Sequence, residues 1–571
     1  MRDNNMTSVS TSNVNNKSFT KKTIETNNIF LDKIEAKIND RVALLIFFAI
    51  SVFLILPRFF LFDMYCDGAF HYERLLALSK EISFDNLKPL MYSNTYFQSG
   101  YPLGLFYPDI FMYPFAVLAK FGIGYYNAIL LYKVFITFTS GLSFYYCIGK
   151  VFKYQKIEMQ RAIIFISTLF YILFPGRLWV FIGREGLGEA QAYIAWPIIV
   201  LGIYEIFYNK RFSFALFFGM ITLFNAHFVS TIITCVFLAG YYILNIKKII
   251  DYPKIVLYTG INAILTIVSA LVTILPILEM QSNTTMYYMT GEKTFGLVKS
   301  NALSLCNNSD VVSVIATILL LIVIVIFTYK KNYKSKLLMT NVFILFTCTD
   351  LFFWGVLEAL IPQVNIIQFP VRMLTFCGLP FALYLVLAHR DRIVTILMIV
   401  SIFAIWMVSL TILVRSPVDN MELNDNHSIG QGEYLPNDVK DRIMEYVDGK
   451  RVWDNELMLS YYDKYNIKRN GNKFTFDAID GKVVFPINCY VGYEVSDGNR
   501  TYPYKSEDGL LTVENLKCNK LTITYVGTTI QKVSSWISYL SFIAISIFAL
   551  YRKKKLREEE YALNAKGAEI E

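Results

Sequence analysis

Apolar residues fall in runs close to the roughly 20 residues that cross hydrocarbon, separated by short polar stretches. These runs predict spans near 43–62, 124–148, 161–180, 190–208, 212–225, 227–246, 255–279, 311–329, 337–357, 373–389, 393–415 and 532–551. The stretch 101–121 is also apolar but carries Pro102, Pro108, Asp109 and Pro114. Proline removes a donor and ends helices, which lipid-exposed backbone does not tolerate. That stretch therefore reads as interfacial or re-entrant.

Charge then sets orientation. Basic clusters follow alternate spans: Lys150, Lys153, Lys156 and Arg161; Lys210 and Arg211; Lys247, Lys248 and Lys254. Others are Lys330, Lys331, Lys334 and Lys336, then Arg390 and Arg392, then Arg552 to Lys555. With both termini cytoplasmic, all of them fall inside, as the positive-inside bias requires. Counting 101–121 as a span would move the later ones outside.

The expected fold is an all-α polytopic membrane protein of about twelve transmembrane helices with an external β-rich C-terminal domain. Residues 1–42 form a polar cytoplasmic segment, and 43–415 the membrane domain, with a first external loop at 63–123. Residues 416–530 lie outside; 531–571 hold the last helix and a basic cytoplasmic tail. The external domain alternates in strand fashion at 482–485, 510–513 and 521–525. Asp-Gly pairs at 480–481, 497–498 and 508–509 predict turns, and Asn437–Val447 a helix. No internal repeat appears, which disfavours a transporter of duplicated halves.

Composition agrees. The 571 residues are 55% hydrophobic and 16% aromatic, with mean hydropathy +0.42, which sets the chain apart from soluble proteins. The net charge of +9 comes from the loop clusters and does not point to nucleic acid. No cleavable signal peptide is evident. Eight cysteines show no CxxC spacing, and most read as small apolar helix residues. Cys489 and Cys518 share the external domain, so a disulfide between them stays open.

Ionisable groups near a membrane are costly and mark candidate sites. Asp63, Asp67, His71, Arg74, Asp109, Arg184, Glu189, His227 and Arg372 all fall at the predicted outer face. Asp67, His71 and Arg74 recur at i, i+4 and i+7 and share one helical face. The plain alternative is an amphipathic helix on the bilayer surface with solvated charges. Asp350, inside a span, reads as a buried hydrogen-bond partner. Carboxylates and arginines at one depth suit sugar transfer from a polyprenyl-phosphate donor. A carboxylate takes the proton of the acceptor hydroxyl. A guanidinium fork or a divalent cation meets the departing phosphate. Asp67 is the first candidate base and Asp63 the second. Arg184, Arg372 and His227 are candidates for the phosphate, with His71, Arg74 and Glu189 completing the substrate site. Asp109 is the candidate metal or acceptor ligand, and Mg2+ or Mn2+ the optional cofactor. A single displacement inverts the anomeric centre.

Asp67-x-x-x-His71-x-x-Arg74, followed by Gly100-Tyr-Pro-Leu-Gly-Leu-Phe-Tyr-Pro-Asp109, resembles bacterial YfhO-type membrane proteins. It is also similar to the polytopic proteins labelled as 6-pyruvoyl-tetrahydropterin synthase-related. Arg184-Glu-Gly-Leu-Gly-Glu189, Gln368-Phe-Pro-Val-Arg372 and Gly432-Glu-Tyr-Leu-Pro436 extend the likeness over most of 43–551. The resemblance implies a GT-C-type glycosyltransferase whose first external loop carries the acidic residue, here Asp67. It also implies an undecaprenyl-phosphate-linked donor, a cell-envelope acceptor such as teichoic acid, and a place in the bacterial cytoplasmic membrane. Val371 departs from the aromatic that many relatives carry before Arg, and no adjacent acidic pair or DxD is present. Two other readings compete: a transporter or flippase of a lipid-linked precursor, and a non-catalytic protein that binds the envelope.

Overall fold

The computed structural model describes residues 29–56, 67–93, 99–154, 161–286, 335–348, 352–367, 370–388, 433–439, 444–447, 450–453, 467–470 and 472–568. Four of its helices are long and apolar enough to cross a bilayer: Tyr125–Tyr154, Leu187–Phe207, Lys254–Asn283 and Thr529–Leu556. A fifth is the pair Arg161–Ile172 and Pro175–Gly183, bent by 41°. Pro175 opens the second limb, and Arg177 Nη1 donates to the Ile172 carbonyl at 2.7 Å, satisfying backbone freed by the break.

About twelve spans were expected, so the described residues correct that number. The predicted 212–225 and 227–246 runs are the helices Phe214–Ala226 and Phe228–Leu244, of 13 and 17 residues. His227 is extended between them (φ −160°, ψ 115°). Thirteen residues reach only about 20 Å, short of the hydrocarbon thickness. The 337–357 run stops as a helix at Thr347, and 373–389 begins in the 3-10 turn Pro370–Cys377. The helix Asp40–Phe53 covers part of 43–62. The predicted spans 311–329 and 393–415 lie outside the described residues. Residues 101–121 are broken as expected, into Leu103–Phe106, Tyr113–Leu118 and a wide turn at Ala119–Ile123 with Gly122 at φ 98°.

The helix Tyr125–Tyr154 orders the bundle. Near its start Lys133 is buried against Glu185 at 2.7 Å. Lys150, about 25 Å further along the axis, meets Glu205 at 3.3 Å. Glu205 also takes Arg211 at 2.6 Å and the Ser213 hydroxyl at 2.5 Å. Lys248 reaches the Tyr208 hydroxyl, and Arg552 lies over the Phe212 ring. Basic residues from four of the predicted cytoplasmic clusters thus meet at one end of the bundle. The candidate site occupies the other.

The C-terminal domain is an antiparallel sheet, as expected in class. Strands β1 (Met444–Val447) and β2 (Lys450–Trp453) pair alone. Six more strands form the main sheet: β3 (Lys468–Asn470), β4 (Lys473–Asn488), β5 (Tyr493–Ser496), β6 (Thr501–Tyr502), β7 (Tyr504–Glu507) and β8 (Leu510–Tyr525). Their order is β3-β4-β8-β5-β6, with β7 also on β8. The Asp-Gly pairs at 497–498 and 508–509 do turn the chain. The pair at 480–481 does not: β4 runs through it, with Gly481 at φ 86° and a register shift beside it. Such a bulge absorbs one residue without ending the strand. The helix expected over Asn437–Val447 is present at 437–439, 440–443 lie outside the described residues, and its end is the strand β1 instead. Cys489 and Cys518 form no disulfide. Phe474, Phe476, Phe485, Leu511 and Ile523 make the domain core, which also takes in Met91 and Met280 from the membrane domain.

Only three residues separate β8 from the last helix. Across them Glu279 accepts from Thr528 Oγ1 at 2.7 Å and Gln531 Nε2 at 3.3 Å. The helices Lys254–Asn283 and Thr529–Ala568 then pack together, with Ser538 Oγ accepting from the Val272 N–H at 2.8 Å.

Candidate functional site

Asp67 opens the helix Asp67–Glu81, where an acidic side chain complements the helix dipole. The surface-helix alternative does not hold. His71, Arg74 and Glu81 are each 2% exposed. Their faces meet the bundle, the rest of the first loop and the sheet.

The sequence-predicted residues come together in two linked groups. In the first, Arg184 Nε meets Asp67 Oδ2 at 2.9 Å and Nη2 meets Glu189 Oε2 at 3.2 Å. Arg372 Nε reaches the same Glu189 oxygen at 3.1 Å. Thr375 Oγ1 donates to the other at 2.9 Å, and Arg372 Nη1 donates to the Ile367 carbonyl at 3.0 Å. The result is an unbroken alternation: Asp67, Arg184, Glu189, Arg372. Burial pulls the Arg372 guanidinium below its usual range, against the hold of Glu189.

His71 sits beside this row. Its Nε2 accepts from the Leu187 N–H at 3.2 Å, so the neutral ring carries its proton on Nδ1. That Nδ1 is buried and meets no partner among the described residues. Burial first, then Arg74, Lys133 and Arg184, hold the imidazole well below its usual value. His71 is thus a neutral donor. His227 lies within the electrostatic reach of Arg372 and Arg184. Its Nδ1 is engaged with Ser230, whose N–H donates to it at 3.2 Å, so it caps the helix Phe228–Leu244.

The second group is Arg74, Asp109 and Tyr92. Arg74 Nε donates to Asp109 Oδ1 at 2.6 Å and Nη2 to the Pro108 carbonyl at 2.6 Å. The guanidinium lies 4.1 Å from the centre of the Tyr107 ring. The Tyr92 hydroxyl donates to Asp109 Oδ2. Burial pushes the Asp109 carboxyl up, and Arg74 and Tyr92 pull against it.

Asp109 was a candidate for a metal or for the acceptor, and its surroundings do not fit a metal. Both its oxygens are taken by cationic or hydroxyl donors. Among the described residues no three His, Cys, Asp or Glu side chains gather as a metal site. Asp63 lies outside the described residues.

Several members escaped the sequence reading. Glu81 continues the spacing of Asp67 and Arg74 by another seven residues, and that periodicity was the available signal. Its Oε1 accepts from Arg469 Nη2 at 2.8 Å and the Ser93 N–H at 2.8 Å. Glu185, buried with Lys133, sits in a left-handed turn (φ 59°) and has no spacing signal. No protein family, curated protein or solved structure matches this chain.

Proposed function

We propose that the protein is a membrane glycosyltransferase. It moves a sugar from an undecaprenyl-phosphate-linked donor to an extracytoplasmic envelope glycopolymer such as teichoic acid. In this reading the chain is a multi-pass protein of the bacterial cytoplasmic membrane with both termini inside. The end of the bundle that bears Asp67 faces outward.

One observation carries the reading. Among the described residues four carboxylates pair with Arg74, Lys133, Arg184 and Arg372, and only one of them is open. The Asp67 side chain is 41% exposed, against 11% for Asp109, 1% for Glu185 and 0% for Glu189. The three closed ones hold buried cations in place. Among these four Asp67 is the one that can meet an arriving hydroxyl, and it does so beside a guanidinium.

The chemistry follows. The acceptor hydroxyl gives its proton to Asp67 as its oxygen bonds to the anomeric carbon. The bond from that carbon to the phosphate oxygen breaks, and undecaprenyl phosphate leaves with the electron pair. Arg184 meets the growing phosphate charge, with Arg372 behind it. Attack opposite the leaving group inverts the anomeric centre. The His71 Nδ1–H, which meets no acceptor among the described residues, is the group assigned in this reading to a donor oxygen. The resemblance to YfhO-type proteins supports the donor and acceptor classes. No step runs through a metal.

The test is Asp67→Asn, which keeps volume and removes the carboxylate. Membrane insertion stays normal, and sugar on the glycopolymer falls by about 10²-fold or more. Normal decoration would sink the proposal. Unchanged sugars with altered movement of a lipid-linked precursor would favour a flippase instead.

A further inference from the structure

Three charged residues of the helix Asp67–Glu81 stand seven residues apart: Asp67, Arg74 and Glu81. Seven residues are nearly two turns, so they form one stripe about 20 Å long. Each is pinned by an opposite charge from a different segment. Arg184 of the bundle holds Asp67, Asp109 of the first loop holds Arg74, and Arg469 of the sheet holds Glu81. The helix that carries the open carboxylate is thus fixed at its far end by the C-terminal domain.

A second fastening runs parallel to the first. At the end of β4, Asn488 Nδ2 donates to the Gly100 carbonyl at 2.7 Å and Ser99 Oγ at 3.1 Å. Its backbone N–H donates to the Ser99 carbonyl at 2.8 Å. Residue 101 pairs with Tyr92, and Tyr92 leads through Asp109 to Arg74. Tyr434 stacks on Phe106 with centroids 4.3 Å apart. Arg469 and Asn488 therefore reach the same helix at two heights. The Glu81 side chain is fully buried and that of Arg469 17% exposed, so this ion pair is well shielded from screening by salt.

We infer that the sheet domain is a clamp that sets the position of Asp67, with Arg469 as its positioning residue acting through Glu81. The inference rests on reading Asp67 as the acting carboxylate. It assigns the domain to alignment of the helix, in place of acceptor capture. A buried pair held at 2.8 Å transmits displacement, and small misplacements of a reacting group are costly.

The experiment uses the full-length protein in nanodiscs. Variants are Arg469→Ala, Arg469→Lys and Glu81→Gln, with the double variant Glu81→Gln, Arg469→Ala. Transfer is followed with undecaprenyl-phospho-glucose or undecaprenyl-phospho-N-acetylglucosamine as donor and purified teichoic acid as acceptor. Amide exchange is read over 67–81. Arg469→Ala should lower kcat by about tenfold or more and leave the acceptor KM unchanged. It should also speed exchange in 67–81. Arg469→Lys keeps the charge and should restore most of both, and the double variant should be no worse than the worse single. Unchanged exchange and kcat in Arg469→Ala would overturn the clamp. So would a raised acceptor KM with kcat intact, which would make the domain an acceptor site. If the unaltered protein transfers neither sugar, the glycosyltransferase reading fails, and the exchange data still decide the clamp.

Discussion

Gly68 lies so close to Glu185 that a Cβ built on it would overlap the Glu185 carboxylate. The glycine follows Asp67, and Glu185 follows the arginine that holds Asp67. The missing side chain thus lets the acid helix and the 183–186 turn close on each other. Gly68→Ala must shift one or the other, and Glu185 is tied to buried Lys133. Overpacking of this kind costs about 1–3 kcal/mol. The expected result is a lower thermal midpoint with loss of transfer, measured on purified protein in nanodiscs. Full activity at unchanged stability would show that the turn has slack.

Arg372 spends its fork on two acceptors, the Glu189 carboxylate and the Ile367 carbonyl. Lysine keeps the charge but cannot hold both in one plane. Arg372→Lys should cut transfer by about tenfold, and Arg372→Gln by more, because Glu189 then loses a buried counter-charge. Steady-state rates at saturating acceptor give the comparison. Equal activity of lysine and arginine would remove the fork geometry from the argument.

Glu73 adds a dependence on pH. Burial pushes its carboxyl from 4.5 up to about 8. The folded protein therefore keeps it neutral where an unfolded chain ionises it. The stability it contributes is complete below pH 4.5 and is lost as pH rises through about 8. Glu73→Gln cannot ionise. Its thermal midpoint should match the original at pH 4.5 and exceed it by a few degrees at pH 8. A gap that stays constant across this range would contradict the assignment.

Orientation is open to direct labelling. Asn499 is exposed in the turn between β5 and β6, and Lys554 lies in the basic stretch of the last helix. In a cysteine-free background, Asn499→Cys should react with an impermeant maleimide on intact cells. Lys554→Cys should react only after permeabilisation. The reverse pattern would turn the site toward the cytosol, where the proposed acceptor is absent.

Much of this arrangement was readable from spacing. Apolar run length located the helices 125–154, 187–207, 254–283 and the last one, because hydrocarbon thickness imposes it. Run length placed the break at His227 but misled on the pieces, which are helices of only 13 and 17 residues, shorter than hydrocarbon needs. Asp67, Arg184, Glu189 and Arg372 were each visible as charges at predicted span ends. The joins of Asp67 to Arg184 and of Glu189 to Arg372 were not, because partners 117 and 183 residues apart leave no local periodicity. The Asp480–Gly481 pair shows the same limit: a turn-forming dipeptide yields when two sixteen-residue strands, β4 and β8, favour a continuous ladder through it.

The link between β8 and the closing helix is braced by side-chain bonds to Glu279 and Gln531. Tyr525 Oη still bonds Gln531, one turn into the helix, at 3.1 Å. The sheet therefore tilts as its supporting helix tilts, and bilayer thickness becomes a lever on the carboxylate proposed as the base. A thicker membrane that straightens this one helix would be felt at Asp67.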